Sequence, residues 1–296
     1  MMVDSIIKKG AFHRSMPQDY AVAEDIGTTE NPLPFIAIAD GCSAGRNSEI
    51  GAMILCRAAL ATANYFRDRL GPDNLDLGEQ IHLMLFDEVK RRAEAAAGSL
   101  KLELNDMIAT LKVAFISNNI LYISESGDGF HFIVYNDGKF IMHQHEYDIN
   151  APYYLAYEFF NRIADYDSIG LNHLNDTAYT SVDAAHRTTV LPAHARIFQK
   201  IPLDNIPFVD YFGLATDGIA SYMMEDGSGL AVKPEAIVNQ LTQIKIPAGE
   251  FLVRRFQKMD RELESKGFIN QDDVGVCMIS LYTYRETLKP SPTENI

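Results

Sequence analysis

Residues 35–45 read FIAIADGCSAG, and the interpretation of the whole chain starts from this stretch. Residues 35–39 form a continuous apolar run, which is typical of a fully buried strand. The run ends at Asp40-Gly41, where a carboxylate at the exposed end of a strand is well placed to hold a cation. Gly41 permits a sharp turn, which brings its own carbonyl oxygen close to the same ion. An isolated Asp-Gly pair is usually only a turn, so the prediction of a site depends on finding the same arrangement elsewhere.

The same arrangement recurs towards the C-terminus. Residues 211–216 read YFGLAT, another short apolar run, and Asp217-Gly218 follows directly. Three further acids stand at predicted strand ends or turns: Asp19, Asp128 and Asp272. Mg²⁺ and Mn²⁺ prefer oxygen ligands, chiefly carboxylates, carbonyls and water. Because clustered carboxylates repel one another, we expect these acids to come together only around cations.

Hydrophobic periodicity predicts an α+β protein. Two short strands are expected within residues 1–25, and two helices follow at Ser48–Leu70 and 76–97, where apolar residues recur at intervals of three and four. From about residue 107 the period changes to two, which predicts antiparallel strands over 107–117, 120–124, 130–135 and 139–143. Residues 144–209 predict irregular strands with a mobile excursion near 161–176. The C-terminal part predicts helices over 234–244 and 248–266 and a strand over 274–282.

Two acidic turns in the strand region are interpreted differently. Asn136-Asp137-Gly138 lies between apolar residues and predicts a plain hairpin turn. The segment around Asp128, Gly127-Asp128-Gly129, also joins two strands, and it is equally compatible with a turn and with a site. Nearby, His143 and His145 would share one face of a strand. A metal pair is one interpretation of these histidines, and surface histidines without a ligand are the interpretation we favour.

Chain length, net charge and cysteine content limit the domain organisation and the classes of function that we expect. With 296 residues the chain could form one large domain or two small ones, and no linker divides it, so we predict a single domain over 1–284 and a disordered polar tail over 285–296. The net charge of −14 argues against a nucleic-acid partner. Three scattered cysteines without a CxxC pair predict neither a disulfide framework nor a zinc site, and they favour a reducing cytoplasm. The N-terminus lacks a long apolar region, and we expect no membrane partner.

The order of these motifs resembles the metal-dependent serine/threonine protein phosphatases of type 2C, the PPM family, particularly its bacterial members. An arginine followed four residues later by Gln-Asp is found at Arg14 and Gln18-Asp19. The DG-x-x-G motif after a buried strand corresponds to residues 40–45, and LYISESGDGF provides the central Gly-Asp. LATDG provides the later Ser/Thr-Asp-Gly motif, and Asp272-Asp273 stands where the family has Asp-Asn.

The resemblance implies a four-layer α-β-β-α sandwich, with two antiparallel sheets flanked by helices and the metal site at one edge between them. It implies hydrolysis of phosphoserine and phosphothreonine in a phosphorylated protein substrate by a metal-activated water at a binuclear Mn²⁺ or Mg²⁺ centre. Asp40 would bridge the two ions, with the Gly41 carbonyl as a further ligand. Asp217 and Asp272 would complete the shell of the first ion, and Asp128, with Asp217, would hold a weaker third ion. Asp19 would orient the water and Arg14 would clamp the phosphate.

Departures from the family pattern leave alternatives open. Asp273 replaces the usual Asn, so the last metal ligand could be Asp272 or Asp273, with Asp272 favoured by alignment. Cys42 stands where some members carry a histidine that can act as general acid. A non-catalytic regulatory module with the same fold is one rival to the phosphatase. A cysteine-dependent phosphatase is the other, because CSAGR at residues 42–46 resembles the loop of that class. However, Arg46 follows Cys42 too closely for such a loop to wrap a phosphate.

Overall fold

The computed structural model describes residues 1–13, 16–181, 186–206 and 208–282. Arg14 and the predicted tail therefore lie outside the described residues. The chain forms seven α-helices and fourteen strands within those ranges. The helices are α1 (Ser48–Leu70), α2 (Leu77–Leu100), α3 (Leu104–Met107), α4 (Ala156–Phe159), α5 (Ile163–Asp167), α6 (Pro234–Leu241) and α7 (Phe251–Glu264). In the described part of the chain, none of them is long and apolar enough to cross a membrane.

Of the fourteen strands, twelve build two large antiparallel sheets and two form a small ribbon. The first seven are β1 (Met2–Lys8), β2 (Tyr20–Asp25), β3 (Pro34–Ala39), β4 (Leu111–Ser117), β5 (Ile120–Ser126), β6 (Gly129–Tyr135) and β7 (Phe140–Tyr147). The others are β8 (His173–Thr180), β9 (Arg187–Pro192), β10 (Ile197–Pro202), β11 (Val209–Ala215), β12 (Tyr222–Met224), β13 (Phe268–Asn270) and β14 (Val274–Ser280). One sheet has the order β10-β5-β4-β3-β2 and the other has the order β1-β14-β11-β6-β7-β8-β9, while β12 and β13 form a small ribbon.

Three apolar layers hold the two sheets and the helices together. Helices α1 and α2 cover the outer face of the five-stranded sheet and share a buried cluster with residues such as Phe35 and Phe115. Between the sheets, aliphatic side chains from both inner faces interdigitate, with Ile36 and Ile38 on one side and Phe212 on the other. Helices α6 and α7 cover the outer face of the seven-stranded sheet. This arrangement confirms the predicted four-layer sandwich, in which the central strands of both sheets are buried between the layers.

The strand β3 shows why the apolar run at residues 35–39 predicts a buried strand. All six of its residues are buried, because it lies inside its sheet between β2 and β4 and its two faces meet helix α1 and the other sheet. A strand covered on both faces reads as a continuous apolar run rather than an alternation. The strand β11, which precedes Asp217, is central in the other sheet, between β14 and β6.

Several predicted bounds need correction. Residue Met107 does not begin a strand; it ends the short helix α3, which is stabilised by a reciprocal capping box between Glu103 and Asp106. Strand β7 continues to Tyr147 rather than ending at His143. The segment predicted as irregular, 144–209, contains α4 and α5 and three regular strands, β8 to β10. The strand β8 has a polar sequence, and its order comes from pairing with β7 and β9 rather than from local preference.

Candidate metal centre

The predicted acids meet at one edge of the sandwich. Asp40 follows β3, Asp217 opens a short 3₁₀ turn after β11, and Asp128 lies in the turn between β5 and β6. Asp19 directly precedes β2, and Asp272 stands two residues before β14. The carboxyl group of Asp40 contacts those of both Asp19 and Asp217. Strand ends from both sheets therefore bring together all five acids that the sequence singled out.

Mutual repulsion and burial act together on these carboxyl groups. Burial, and then the neighbouring charges of Asp217 and Asp19, hold the pKa of Asp40 well above its ordinary value. Burial likewise raises the pKa of Asp19 and of Asp217. For Asp128, burial and the charge of Asp217 raise the pKa to about 7. At neutral pH such a group of carboxylates is unfavourable unless cations compensate their charge.

One oxygen atom in the group has no hydrogen-bond partner. Asp19 is 4% exposed, and its Oδ2 accepts a hydrogen bond of 2.8 Å from the Thr216 hydroxyl. Its Oδ1 is buried and has no partner among the described residues. A buried, unpaired carboxylate oxygen costs free energy unless a water or an ion satisfies it. This atom and the raised pKa values fit a centre built for divalent cations with oxygen ligands.

The Asp40-Gly41 turn is fixed by its neighbours. The backbone nitrogen of Asp40 donates to the Thr110 hydroxyl at 2.9 Å, and the Thr110 nitrogen donates to the Asp40 carbonyl at 2.9 Å. A Cβ atom at Gly41 would lie 2.8 Å from the backbone oxygens of Gln18 and Ser48. Glycine is therefore required here by close backbone approach, and Gln18 belongs to the segment that carries Asp19.

The two adjacent acids before β14 have different surroundings. The Asp272 side chain is 50% exposed, and its charge acts on Asp217 across the site. Asp273 is buried, and its carboxylate accepts hydrogen bonds from the backbone nitrogens of Gly10, at 2.7 Å, and of Gln18. The oxygens of Asp273 are thus occupied in fixing the 10–18 segment against the C-terminal strand. These surroundings favour Asp272 over Asp273 as the residue free to bind a metal.

Sequence reasoning missed a histidine at this edge. His13 Nδ1 lies 2.6 Å from Asp273 Oδ2, and its Nε2 lies 3.2 Å from Asp272 Oδ1. The imidazole therefore bridges the two adjacent acids. The only signal in the sequence was the position of His13 directly before Arg14, and no spacing rule connects residue 13 with residue 272.

The loop after Gly41 does not form a phosphate cradle. Arg46 makes a bidentate pair with Asp106, with distances of 3.0 Å from Nε and 2.7 Å from Nη2. This pair holds the pKa of Asp106 down at about 2. The Cys42 carbonyl accepts hydrogen bonds from the Ser48 hydroxyl and the Gly45 nitrogen, both at 2.8 Å. Because Arg46 is committed to Asp106, the geometry gives no support to a cysteine-dependent phosphatase.

A second polar cluster lies between the sheets, where the apolar inter-sheet layer ends. Lys112 on β4 donates to Glu125 on β5 at 3.2 Å, and Glu125 Oε2 lies 2.9 Å from His131 Nδ1 on β6. His145 on β7 is also buried, with its Nδ1 3.2 Å from the Lys112 ammonium. Burial lowers the pKa of His145 to about 4, so the ring is neutral at pH 7. The expectation that His143 and His145 are surface histidines is therefore wrong for His145.

Comparison with known proteins finds one similar family model and solved structures with a similar fold. Residues 10–151 match the family model described as protein phosphatase 2C. The match covers just under half of the chain and shows a similarity to this family over that segment. The matched segment contains the described candidates Asp19, Asp40 and Asp128, while Asp217 and Asp272 lie beyond it. No curated protein matches the sequence.

Solved structures with a similar fold include two bacterial serine/threonine phosphatases and a protein of another description. The serine/threonine phosphatase Stp1 from Staphylococcus aureus is 12% identical, with a TM-score of 0.51 over 95% of both chains. The S. agalactiae serine/threonine phosphatase is 14% identical, with a TM-score of 0.51 over 93% of this chain and 97% of that chain. A C. elegans sex-determining protein is 16% identical, with a TM-score of 0.50 over 93% of this chain and 64% of that chain. At these identities the likeness establishes the shared fold.

Proposed function

We propose that this protein is a type 2C serine/threonine phosphatase that hydrolyses phosphoserine and phosphothreonine esters with the help of two Mn²⁺ or Mg²⁺ ions. The observation that carries the proposal is the meeting of five carboxylates from both sheets at one edge, where the pKa values of Asp19, Asp40, Asp128 and Asp217 are raised and one buried oxygen is unpaired. When bound, two such ions supply Lewis acidity and lower the pKa of a coordinated water. The three free cysteines are compatible with a reducing cytoplasm as its location.

The surroundings of each acid indicate which ion it would bind. Asp40 contacts acids on both sides, so we assign its carboxylate to both ions. The carbonyl oxygen of Gly41 would be a further ligand. Asp217 and the half-exposed Asp272 would complete the shell of the first ion. Asp128, whose charge acts on Asp40, would share a third and weaker ion with Asp217.

Asp19 would act on the attacking water rather than on an ion. Its Oδ2 is held by Thr216, and its unpaired Oδ1 is available to accept a hydrogen bond from a water at the centre. An oriented water contributes to catalysis because it avoids the entropic cost of positioning the nucleophile. Arg14 follows from the family motif alone; its guanidinium would bind two phosphate oxygens, a geometry that lysine cannot reproduce.

The substrate class is tested with synthetic phosphopeptides. The purified protein with Mn²⁺ should release phosphate from phosphoserine and phosphothreonine peptides, and release should stop in the presence of excess chelator. Asp40→Asn should abolish release, while Asp137→Asn should leave it unchanged. Asp137 is a matched control because it is also followed by glycine but lies in an exposed hairpin turn and pairs with Lys139.

Two outcomes would contradict the proposal. Release of phosphate at the same rate after complete chelation would exclude the metal-dependent mechanism. A folded protein that binds Mn²⁺ at these acids and hydrolyses no phosphopeptide and no aryl phosphate would be the non-catalytic module instead.

A further inference from the structure

Three potential metal ligands converge beside the acidic centre, on the inner face of the seven-stranded sheet. His145 and Asp176 are directly paired between β7 and β8, and His143 lies two residues before His145 on the same face. His143 Nδ1 is 2.8 Å from Asp176 Oδ1, and His145 Nε2 is 3.4 Å from the same oxygen. All three ligand atoms lie within 4.8 Å of one another.

The strongest indication of a ligand comes from His145. Its side chain is fully buried, and its Nε2 is aimed at Asp176 without a hydrogen-bond partner among the described residues. A buried polar nitrogen without a hydrogen-bond partner is unfavourable. It is separated from Asp176 Oδ1 by 3.4 Å, and two ligands bound to one tetrahedral Zn²⁺ lie about 3.3 Å apart when the metal–ligand bonds are about 2.0–2.1 Å.

A neighbouring group of similar composition has a different explanation. Glu125, His131 and His145 Nδ1 also lie within 4.8 Å of one another. The ammonium group of Lys112, however, lies 3.2 Å from both Glu125 Oε1 and His145 Nδ1. Lys112 already supplies the cation for that group, and a metal ion there would be repelled. The side of the His145 ring that faces Asp176 is free of this charge.

We propose that His143, His145 and Asp176 bind a divalent metal ion, with Zn²⁺ as the preferred ion, at a site separate from the acidic centre. Imidazole and carboxylate ligands in this combination suit Zn²⁺, whereas the acidic centre offers only oxygen atoms and suits Mg²⁺ and Mn²⁺. Three protein ligands leave a fourth position open. The His143 and Asp176 side chains are 26% and 19% exposed, so this position can be reached from solvent.

The surroundings of His145 also suit a metal-bound imidazole. If Nε2 binds the metal, the ring proton must be on Nδ1, so the Lys112 ammonium, now 3.2 Å from Nδ1, has to move away. Glu125 Oε2, 3.5 Å from Nδ1, can then accept this proton after a small shift. A carboxylate behind a ligating histidine fixes the ring and increases its basicity. Glu125 is itself held by Lys112 and His131, so the support for the ring belongs to both sheets.

The test is a comparison of Zn²⁺ binding in the presence of excess Mg²⁺, which would occupy the acidic centre if the proposed function is right. Equilibrium dialysis of the whole chain should show one tight Zn²⁺ ion in the wild type. Removing one of three ligands, by His143→Ala or Asp176→Asn, should weaken that binding by at least about 10- to 100-fold. His173→Ala is the matched control, since His173 is an exposed histidine on the same strand as Asp176 and pairs with Asp148 at 3.1 Å.

Thermal unfolding provides a second measurement that does not depend on enzyme activity. Zn²⁺ at 100 times its dissociation constant should stabilise the wild type by about 2.7 kcal/mol, the linkage value for a single site. It should stabilise the His173→Ala protein equally and the two ligand variants much less. Equal Zn²⁺ affinity and equal stabilisation in the wild type, His143→Ala and Asp176→Asn would overturn the proposal, as would the absence of Zn²⁺ binding to the wild type.

Discussion

Asp272 and Asp273 are chemically identical neighbours, yet their contacts assign them opposite roles. Asp273 is 2% exposed and accepts hydrogen bonds from two backbone nitrogens on different oxygens, Gly10 on Oδ1 and Gln18 on Oδ2. Asp272 keeps a half-exposed carboxylate facing Asp217. The chain bends at Asp272 just before β14, so the two neighbouring side chains have different surroundings, one on the side of Asp217 and the other against the N-terminal segment.

Conservative substitution should separate these roles. Asp272→Asn should leave the free energy of unfolding nearly unchanged and greatly reduce kcat, because the ligand charge is lost. Asp273→Asn should retain kcat within several-fold but lower the free energy of unfolding by about 1–3 kcal/mol, because an amide cannot accept on both sides. Urea unfolding and aryl phosphate kinetics on both variants measure the difference. An inactive Asp273→Asn enzyme beside an active Asp272→Asn enzyme would reverse the assignment.

Cys42 gives a second prediction at the level of the residue. The Arg46 side chain that a thiolate mechanism would require is paired with Asp106. Cys42→Ser should therefore keep kcat within several-fold. A general acid or base is worth about 10²–10⁴-fold, so a loss of that size in a folded, metal-binding Cys42→Ser protein would show that the thiol takes part in the reaction.

At the level of elements, the strand–turn units predicted from apolar runs are the most accurately located. The helix α1 has the predicted bounds, and β3 and β11 lead into Asp40 and Asp217 as expected. In buried central strands and long amphipathic helices, the pattern of apolar residues shows which faces are buried. The strand β8 does not, since its polar residues become ordered through pairing with β7.

The turn after β11 allows a test of backbone packing. A Cβ atom at Gly218 would lie 1.6 Å from the backbone oxygen of Asp273, which joins the turn to the segment before β14. Gly218→Ala should lower the free energy of unfolding by about 1–3 kcal/mol, a typical cost of overpacking, and should also reduce activity because it displaces Asp217 and Asp272. Thermal unfolding and aryl phosphate kinetics would measure both effects.

Gly98→Ala is the matched control for that experiment. Gly98 lies in helix α2, and a Cβ atom there meets nothing within 4 Å. The substitution should stabilise the protein by about 0.5–1 kcal/mol. If Gly218→Ala were as harmless as Gly98→Ala, the close approach of the turn to Asp273 would not be a constraint on the fold.

At the scale of the whole molecule, the acids of the candidate centre were identifiable in sequence because each stands at the end of a recognisable strand or turn. The contacts of His13 with Asp272 and of His145 with Asp176 were not identifiable. These contacts depend on which strands become neighbours in the fold, and a local sequence pattern does not predict strand neighbours. The same is true of Arg46 and Asp106, which are 60 positions apart.

The acidic centre also predicts how stability depends on pH. The carboxyl pKa values of Asp19, Asp40, Asp128 and Asp217 are raised in the folded state, that of Asp128 from 3.8 to about 7. Between pH 3.8 and about 7, Asp128 binds more protons in the folded state than in the unfolded state, so the stability of the folded state falls as pH rises. Without metal, the Tm should therefore decrease from pH 6.5 to pH 8, above the range in which the lowered pKa of buried His145 acts in the opposite direction. Mn²⁺ should raise the Tm more at pH 8 than at pH 6.5, because it competes with protons for the same oxygens. A metal-free Tm that rises over this range would contradict the account.

The most direct test of the central claim is the metal dependence of aryl phosphate hydrolysis. The protein would be stripped with chelator, dialysed, and assayed with p-nitrophenyl phosphate before and after the addition of Mn²⁺ or Mg²⁺, alongside Asp40→Asn. The account predicts no hydrolysis without metal, recovery on addition of metal, and a rate at least about 100-fold lower for Asp40→Asn at every metal concentration. Hydrolysis that survives complete removal of metal, or a folded Asp40→Asn protein that is as active as the wild type, would contradict it.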